Sequence, residues 1–146
     1  MKIKFKKLHP DAKMPQKAHN DDFCYDVWAV SEEEVAPNVW KYGLGFALQT
    51  TESIPKEQDF AINIYPRSSV WKTGMVLSNC LGVVDQGYTG EISAVFYHVL
   101  PNMPRYKKGD KIAQLQIAWA EDLEFIEVDE LSETDRGAGG YGSTGK

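Results

Sequence analysis

The 146-residue chain holds two cysteines, Cys24 and Cys80, and they form no CxxC pair. A disulfide framework and a cysteine-based zinc site are therefore not expected, and a reducing cytoplasm is the plain setting. The histidines, His9, His19 and His98, stand at no metal-ligand spacing. No apolar run approaches a membrane span, and Met1 to Lys7 leads into no apolar signal core. Basic residues are outnumbered, 16 Lys and Arg against 21 Asp and Glu, and the net charge of −5 argues against a general nucleic-acid binder. Helical periodicity is almost missing, and there is no internal repeat.

What is present suits one packed domain. The chain is 42% apolar and 12% aromatic, enough to bury a core at this length. Charge is uneven: residues 1–17 carry six lysines and one acid, and 121–135 carry eight acids and no base, which reads as two solvated faces. Strands are expected at Lys2 to Lys6, Phe23 to Val30, Leu44 to Leu48, Phe60 to Tyr65, Ile92 to Leu100, Lys111 to Trp119 and Leu123 to Val128. Ser31 to Asn38 is acidic, lacks an apolar stripe and closes at Pro37, so it reads as loop. Lys108-Gly109-Asp110 reads as a hairpin turn, with Asp110 a turn residue. Short strands separated by turns indicate an all-β protein, a jelly-roll-like β-sandwich or barrel spanning 1–135. One short helix is expected after Pro66, and a Gly-rich tail at 136–146.

Chemistry is concentrated at a few places. Asn79 to Glu91 reads as a β-hairpin whose turn carries the Asp85 carboxylate and the Tyr88 ring. A carboxylate beside a ring can act as a base next to a flat ligand, although turns favour Asp for local hydrogen bonding alone. At Arg67-Ser68-Ser69 a strand gives way to a short helix, where free N–H groups and a guanidinium suit a phosphate; either serine could equally be an N-cap. Gln114 falls on the strand face opposite Leu115, Ile117 and Trp119, open to ligand or to solvent. Asp26 lies mid-strand between Tyr25 and Val27, an uncommon place for a carboxylate. The tail has five glycines in residues 136–145. Its spelling of GxGxxG is rejected because no helix follows it, and its near P-loop at Gly140 to Lys146 because it stops one residue short of the required Ser or Thr. Its N–H groups, Arg136, Ser143 and Thr144 still suit an anion rich in oxygens, and Tyr141 offers a ring to stack; a solubilising tail is the alternative.

Taken in order, five segments resemble the trimeric dUTP diphosphatase (dUTPase) family. They are Ala18 to Ala29 around Tyr25-Asp26, Pro66 to Ser69, Gly82 to Gly90, Lys108 to Leu115 and Arg136 to Gly145. The resemblance implies a jelly-roll homotrimer with sites between subunits that hydrolyses dUTP to dUMP and pyrophosphate with Mg²⁺. Such an enzyme limits uracil incorporation into DNA and supplies dUMP for dTMP synthesis. By matching position, Asp85 would activate the water that attacks the α-phosphorus, and Tyr88 would pack on the deoxyribose. Asn79, Gly82 and Val84, in the hairpin backbone, would meet the base. Arg67, Ser68, Ser69 and Gln114 would hold phosphates, and Asp26 would support the metal through water. Arg136, Gly142, Ser143 and Thr144 would close on the phosphates with Tyr141 over the base. Phe23-Cys24 departs from two small residues usual in the family, Ser69 from a frequent Gly, and Tyr141 from the usual Phe.

Two rival functions use the same fold. The related dCTP deaminases carry a catalytic Glu ten residues after the matching Asp, where this chain has Val95. A nucleotide-sensing or partner-binding protein without turnover would have little need of Asp85.

Overall fold

The computed structural model describes residues 2–50 and 58–140. Ten strands are arranged as one two-stranded and two four-stranded antiparallel sheets among these residues. In chain order they are β1 (Ile3–Lys7), β2 (Tyr25–Trp28), β3 (Glu33–Ala36), β4 (Val39–Gly43) and β5 (Phe46–Thr50). They continue as β6 (Gln58–Pro66), β7 (Met75–Leu77), β8 (Gly82–Asp85), β9 (Ser93–His98) and β10 (Lys111–Glu121). One sheet runs β2-β10-β6-β8, the other β3-β4-β9-β7, and β1 pairs with β5.

The core lies between the two larger sheets. Val27, Ile62, Ile64 and Leu115 come from one sheet, and Tyr42, Ala94, Phe96 and Leu77 from the other, all buried. Alternation along each strand produces this, because residues two apart share a face. Tyr42, Phe96 and Tyr106 add edge-on ring contacts at centroid distances of 5.5–6.4 Å.

Four expectations need correction. Ser31 to Asn38 is not loop: β3 pairs with β4 across a Pro37-Asn38 turn in which Asn38 has φ of 60°. Every β3 residue is exposed, so this edge strand has no buried face to impose alternation. Asp85 does not sit in a β-hairpin. β8 pairs with β6 and β9 pairs with β4 and β7, so 86–92 crosses from one sheet to the other. Lys108 to Asp110 forms a turn, with Gly109 at φ of 94°, but β10 pairs with β2 and β6 and no hairpin forms there. Leu123 to Val128 forms no strand; the last one ends at Glu121, and Leu123, Phe125, Ile126 and Val128 are exposed. No helix of the described residues is long and apolar enough to cross a membrane.

Candidate active site

Antiparallel register gathers one group of predicted residues on the outer face of the β2-β10-β6-β8 sheet. Asp26 stands opposite Gln114, and Gln114 opposite Tyr65, so all three share that face. Asp26 is buried, at 8% exposure, and needs partners for its charge. Lys111 Nζ donates to Asp26 Oδ2 at 2.8 Å, and Arg67 Nε stands 3.4 Å from Oδ1. The latter is an ion-pair distance without a formed hydrogen bond. A mutual backbone pair with Gln16, at 2.7 and 3.2 Å, fixes Asp26 from its other edge.

Arg67 leaves β6 in extended conformation and stands at the cap position of a five-residue 3-10 helix, Ser68–Lys72. The expected serine cap is therefore displaced by one residue, and Arg67 makes no side-chain cap bond. Instead Arg67 Nη1 donates to Ser69 Oγ at 3.2 Å, while Ser68 is exposed. Gln114 is half-buried, and Leu115 on the opposite face is in the core, as the alternation requires.

Asp85 belongs to the far end of the same face. It pairs with Ala61, four residues before Tyr65 on β6. Strand rise and spacing put its backbone about 16 Å from Gln114 and about 20 Å from Arg67 within one copy. Asp85 is exposed, its carbonyl accepting from Tyr88 N at 3.0 Å to close a tight turn. Tyr88 Oη donates to the Glu91 carbonyl at 3.0 Å, which folds the ring back over Gly90. A Cβ on Gly90 would lie 2.5 Å from that hydroxyl and 2.6 Å from the ring, so only glycine leaves Tyr88 its place.

At the entry to β8, Asn79 and Cys80 form an exposed corner with Cys80 at φ of 58°. Gly82 lies against Ile64, where a Cβ would come within 3.1 Å. Val84 turns inward and packs on the core, which leaves only its backbone for a ligand. Arg136 is exposed, and its Nε donates to the Gly139 carbonyl at 2.9 Å. Tyr141, Gly142, Ser143 and Thr144 lie outside the described residues. Arg67, Gln114 and Asp26 are thus brought together, whereas Asp85 and Tyr88 stand apart from them.

Several contributors were invisible in the sequence. Lys111 is one, read there as part of a strand and of a resembling segment but given no role. Tyr65, Asn63 and Gln116 form a chain of side-chain bonds on the same face, at 3.2 and 3.3 Å, between the Asp26 and Asp85 ends. Arg105 is another: its guanidinium stacks 3.4 Å from the Trp40 ring centroid and bonds Glu32 at 3.1 Å. Glu32 also accepts from the Lys108 backbone at 2.7 Å, so it clasps the loop that launches β10. Burial works to raise the Glu32 carboxyl, but Arg105 and the Lys108 N–H outweigh it and hold it below its usual range. Burial, reinforced by the Asp26 charge, pushes the Cys24 thiol up.

The fold and this face define an all-β protein with a buried carboxylate holding two cations at one end and a bare carboxylate at the other. The sequence profile of the dUTPase family matches residues 10–145. The deoxyuridine 5'-triphosphate nucleotidohydrolase of Thermobifida fusca is 37% identical, covering 99% of this chain and 79% of that one. The enzyme of the same name from Nautilia profundicola is 36% identical over the whole of both chains. The chain belongs to the dUTPase family. Its fold is also that of a Staphylococcus bacteriophage 80alpha dUTPase mutant solved with dUpNHpp, at TM-score 0.81, 24% identity and 99% coverage of both chains. A point-mutant dUTPase of phage phi11 of S. aureus matches at TM-score 0.72 and 21% identity, over 91% of this chain and 100% of that one.

Proposed function

We propose that this chain hydrolyses dUTP to dUMP and pyrophosphate at sites shared between the copies of a homotrimer. The observation that carries this reading is the family match over residues 10–145, a span containing every residue assigned to the site. In this reading Asp85 takes a proton from the attacking water. The water oxygen bonds to the α-phosphorus, and the bond to the oxygen bridging the α- and β-phosphorus breaks, releasing pyrophosphate. General-base assistance of this kind is worth about 10²–10⁴-fold. The remainder rests on positioning and charge from Arg67, Ser68, Ser69, Gln114 and Arg136 on the phosphates.

Asn79 and the backbone at Gly82 and Val84 take the base edge, Tyr88 the deoxyribose. The tail from Arg136 closes with Gly142, Ser143 and Thr144 on phosphates and Tyr141 over the base. Among the described residues no group of three His, Cys, Asp or Glu can cage a metal, which suits a Mg²⁺ ion carried by the triphosphate and its waters. Asp26 has lone pairs left beyond Lys111 and Arg67 and would hold that ion through water. When bound, Mg²⁺ neutralises phosphate charge. Two free cysteines suit the reducing cytoplasm.

Sharing between copies is supported by the separation of Asp85 from Arg67, which leaves each copy with two half-sites. It is supported too by large apolar side chains of the acidic stretch after β10 that no described residue covers. Phe125 and Leu131 are 91% and 88% exposed. An apolar groove of about 580 Å³, lined by Ile3, Phe5, Phe23, Ile117 and Trp119, is a suitable seat on a neighbouring copy.

Pyrophosphate release measured across dUTP, dTTP, dCTP and UTP tests the activity, with dUTP expected to dominate; ammonia release from dCTP would overturn it. Co-refolding Asp85→Asn with Arg67→Ala chains tests the sharing. Random equimolar mixing gives about a quarter of the sites both wild-type groups, so activity should rise toward that fraction. Mixtures as inactive as their parents would place each site within one copy.

A further inference from the structure

The start of β10 departs from regular pairing in a way that bears on the phosphate end. Lys111 stands opposite Trp28 and Ala113 opposite Val27, so one residue, Ile112, is extra. Without that bulge, Lys111 and Gln114, an odd number apart, would lie on opposite faces. With it, Ile112 and Ala113 are both fully buried, while Lys111 reaches Asp26 on the face that holds Gln114. The ammonium is further confined above the Trp28 ring, 5.5 Å from its centroid, with Lys13 at 5.3 Å from the same ring.

We infer that Lys111 is a positioning residue for Arg67, acting through Asp26. Lys111 occupies one carboxylate oxygen and leaves the other facing Arg67 Nε. The carboxylate is thereby held in one rotation, and with it the direction in which the guanidinium presents its outer nitrogens. Charge is conserved in the same arrangement. Arg67 and Asp26 alone would form a neutral pair, poorly suited to a triphosphate. Lys111 restores a net positive charge, so Arg67 can be anchored without losing its pull on an anion. The proposal rests on the phosphate role given to Arg67 above.

Lys111→Met should weaken dUpNHpp binding and lower kcat/KM about tenfold each, the scale expected when a substrate-positioning group shifts. Lys111→Arg should recover most of the loss. Asp26→Asn combined with Lys111→Met restores the net charge but not the anchor, and it should remain as weak as Lys111→Met. Recovery to wild-type values in the double variant would show that charge alone matters and would overturn the positioning role.

A second readout needs no substrate. The Arg67 Nε–H resonance, assigned by its loss in Arg67→Lys, should be distinct in the wild type and in Lys111→Arg. In Lys111→Met it should collapse toward that of a solvent-exposed arginine; Lys111→Gln serves if the Met variant does not fold. An unmoved resonance would overturn the proposal. Full turnover by Arg67→Ala would instead remove the phosphate role beneath it, whatever the resonance does.

Discussion

The two ends of one sheet face are built on different principles. At the Arg67 end, a buried carboxylate is clamped by an ammonium, faced by a guanidinium and tied through its backbone to Gln16. The loop behind it is clasped by Glu32 and Arg105. At the Asp85 end the carboxylate is exposed, and its surroundings are held by a tight turn, one tyrosine hydroxyl and the Gln86 amide donating to Asp59 at 2.7 Å. Groups that grip a ligand's fixed charge gain from being preorganised within the chain. In the proposed reaction Asp85 would meet water, and an exposed carboxylate suits that role. The fixed end can therefore be damaged through stability or affinity, and the open end chiefly through chemistry.

Four experiments can break that contrast, in falling order of expected effect. Asp85→Asn should lower turnover by about 10²–10⁴-fold with the fold intact and dUpNHpp still bound; near-native turnover would end the role of Asp85. A chain stopped at Asp135 should fold and assemble yet turn over about a hundredfold more slowly, since phosphate closure is lost. Wild-type rates would make the tail dispensable. Gly90→Ala pushes a methyl into the Tyr88 ring. It should cut the preference for dUTP over UTP about tenfold, measured as a ratio of kcat/KM values. An unchanged ratio would remove Tyr88 from sugar selection.

Glu32→Gln should leave chemistry almost untouched and cost about 1–2 kcal/mol of stability. The Glu32 carboxyl is held below its ordinary range, so its contribution is present above that range and fades as pH falls through the folded value. Chemical denaturation from pH 7 down to pH 3 should show the variant converging on the wild type. A gap that widened toward acid would contradict the pairing with Arg105.

Much of the fold was legible because half-buried strands alternate: Phe60 to Tyr65 and Lys111 to Trp119 are strands, and Gln114 faces away from the core. The pattern fails where a strand has no buried side or is very short, which hid β3 at Glu33–Ala36 and β7 at Met75–Leu77. Turn chemistry around Gln86-Gly87 marks a change of direction but not whether the chain returns within one sheet or crosses to another. Asp26 stood out as a carboxylate in a strand, but its partner Lys111 lies 85 residues away. A bulge is a property of pairing between two strands, and one strand's sequence does not display it. The residues proposed to hold phosphates were picked out by motif, whereas the ion pairing of Asp26 with Lys111 and Arg67 was not.

The strand β6 has a consequence as a ruler. Ala61 marks the position of Asp85 and Tyr65 that of Gln114, so the tread between them sets the spacing of the two proposed half-sites. Adding two residues to β6 between these marks, with two more in β10 to match, would keep every side chain on its own face. The core would remain paired, while the two ends would move apart by about 7 Å. Such a protein should fold with the Asp85 carboxylate out of step with the phosphate grip proposed at Arg67 and Gln114.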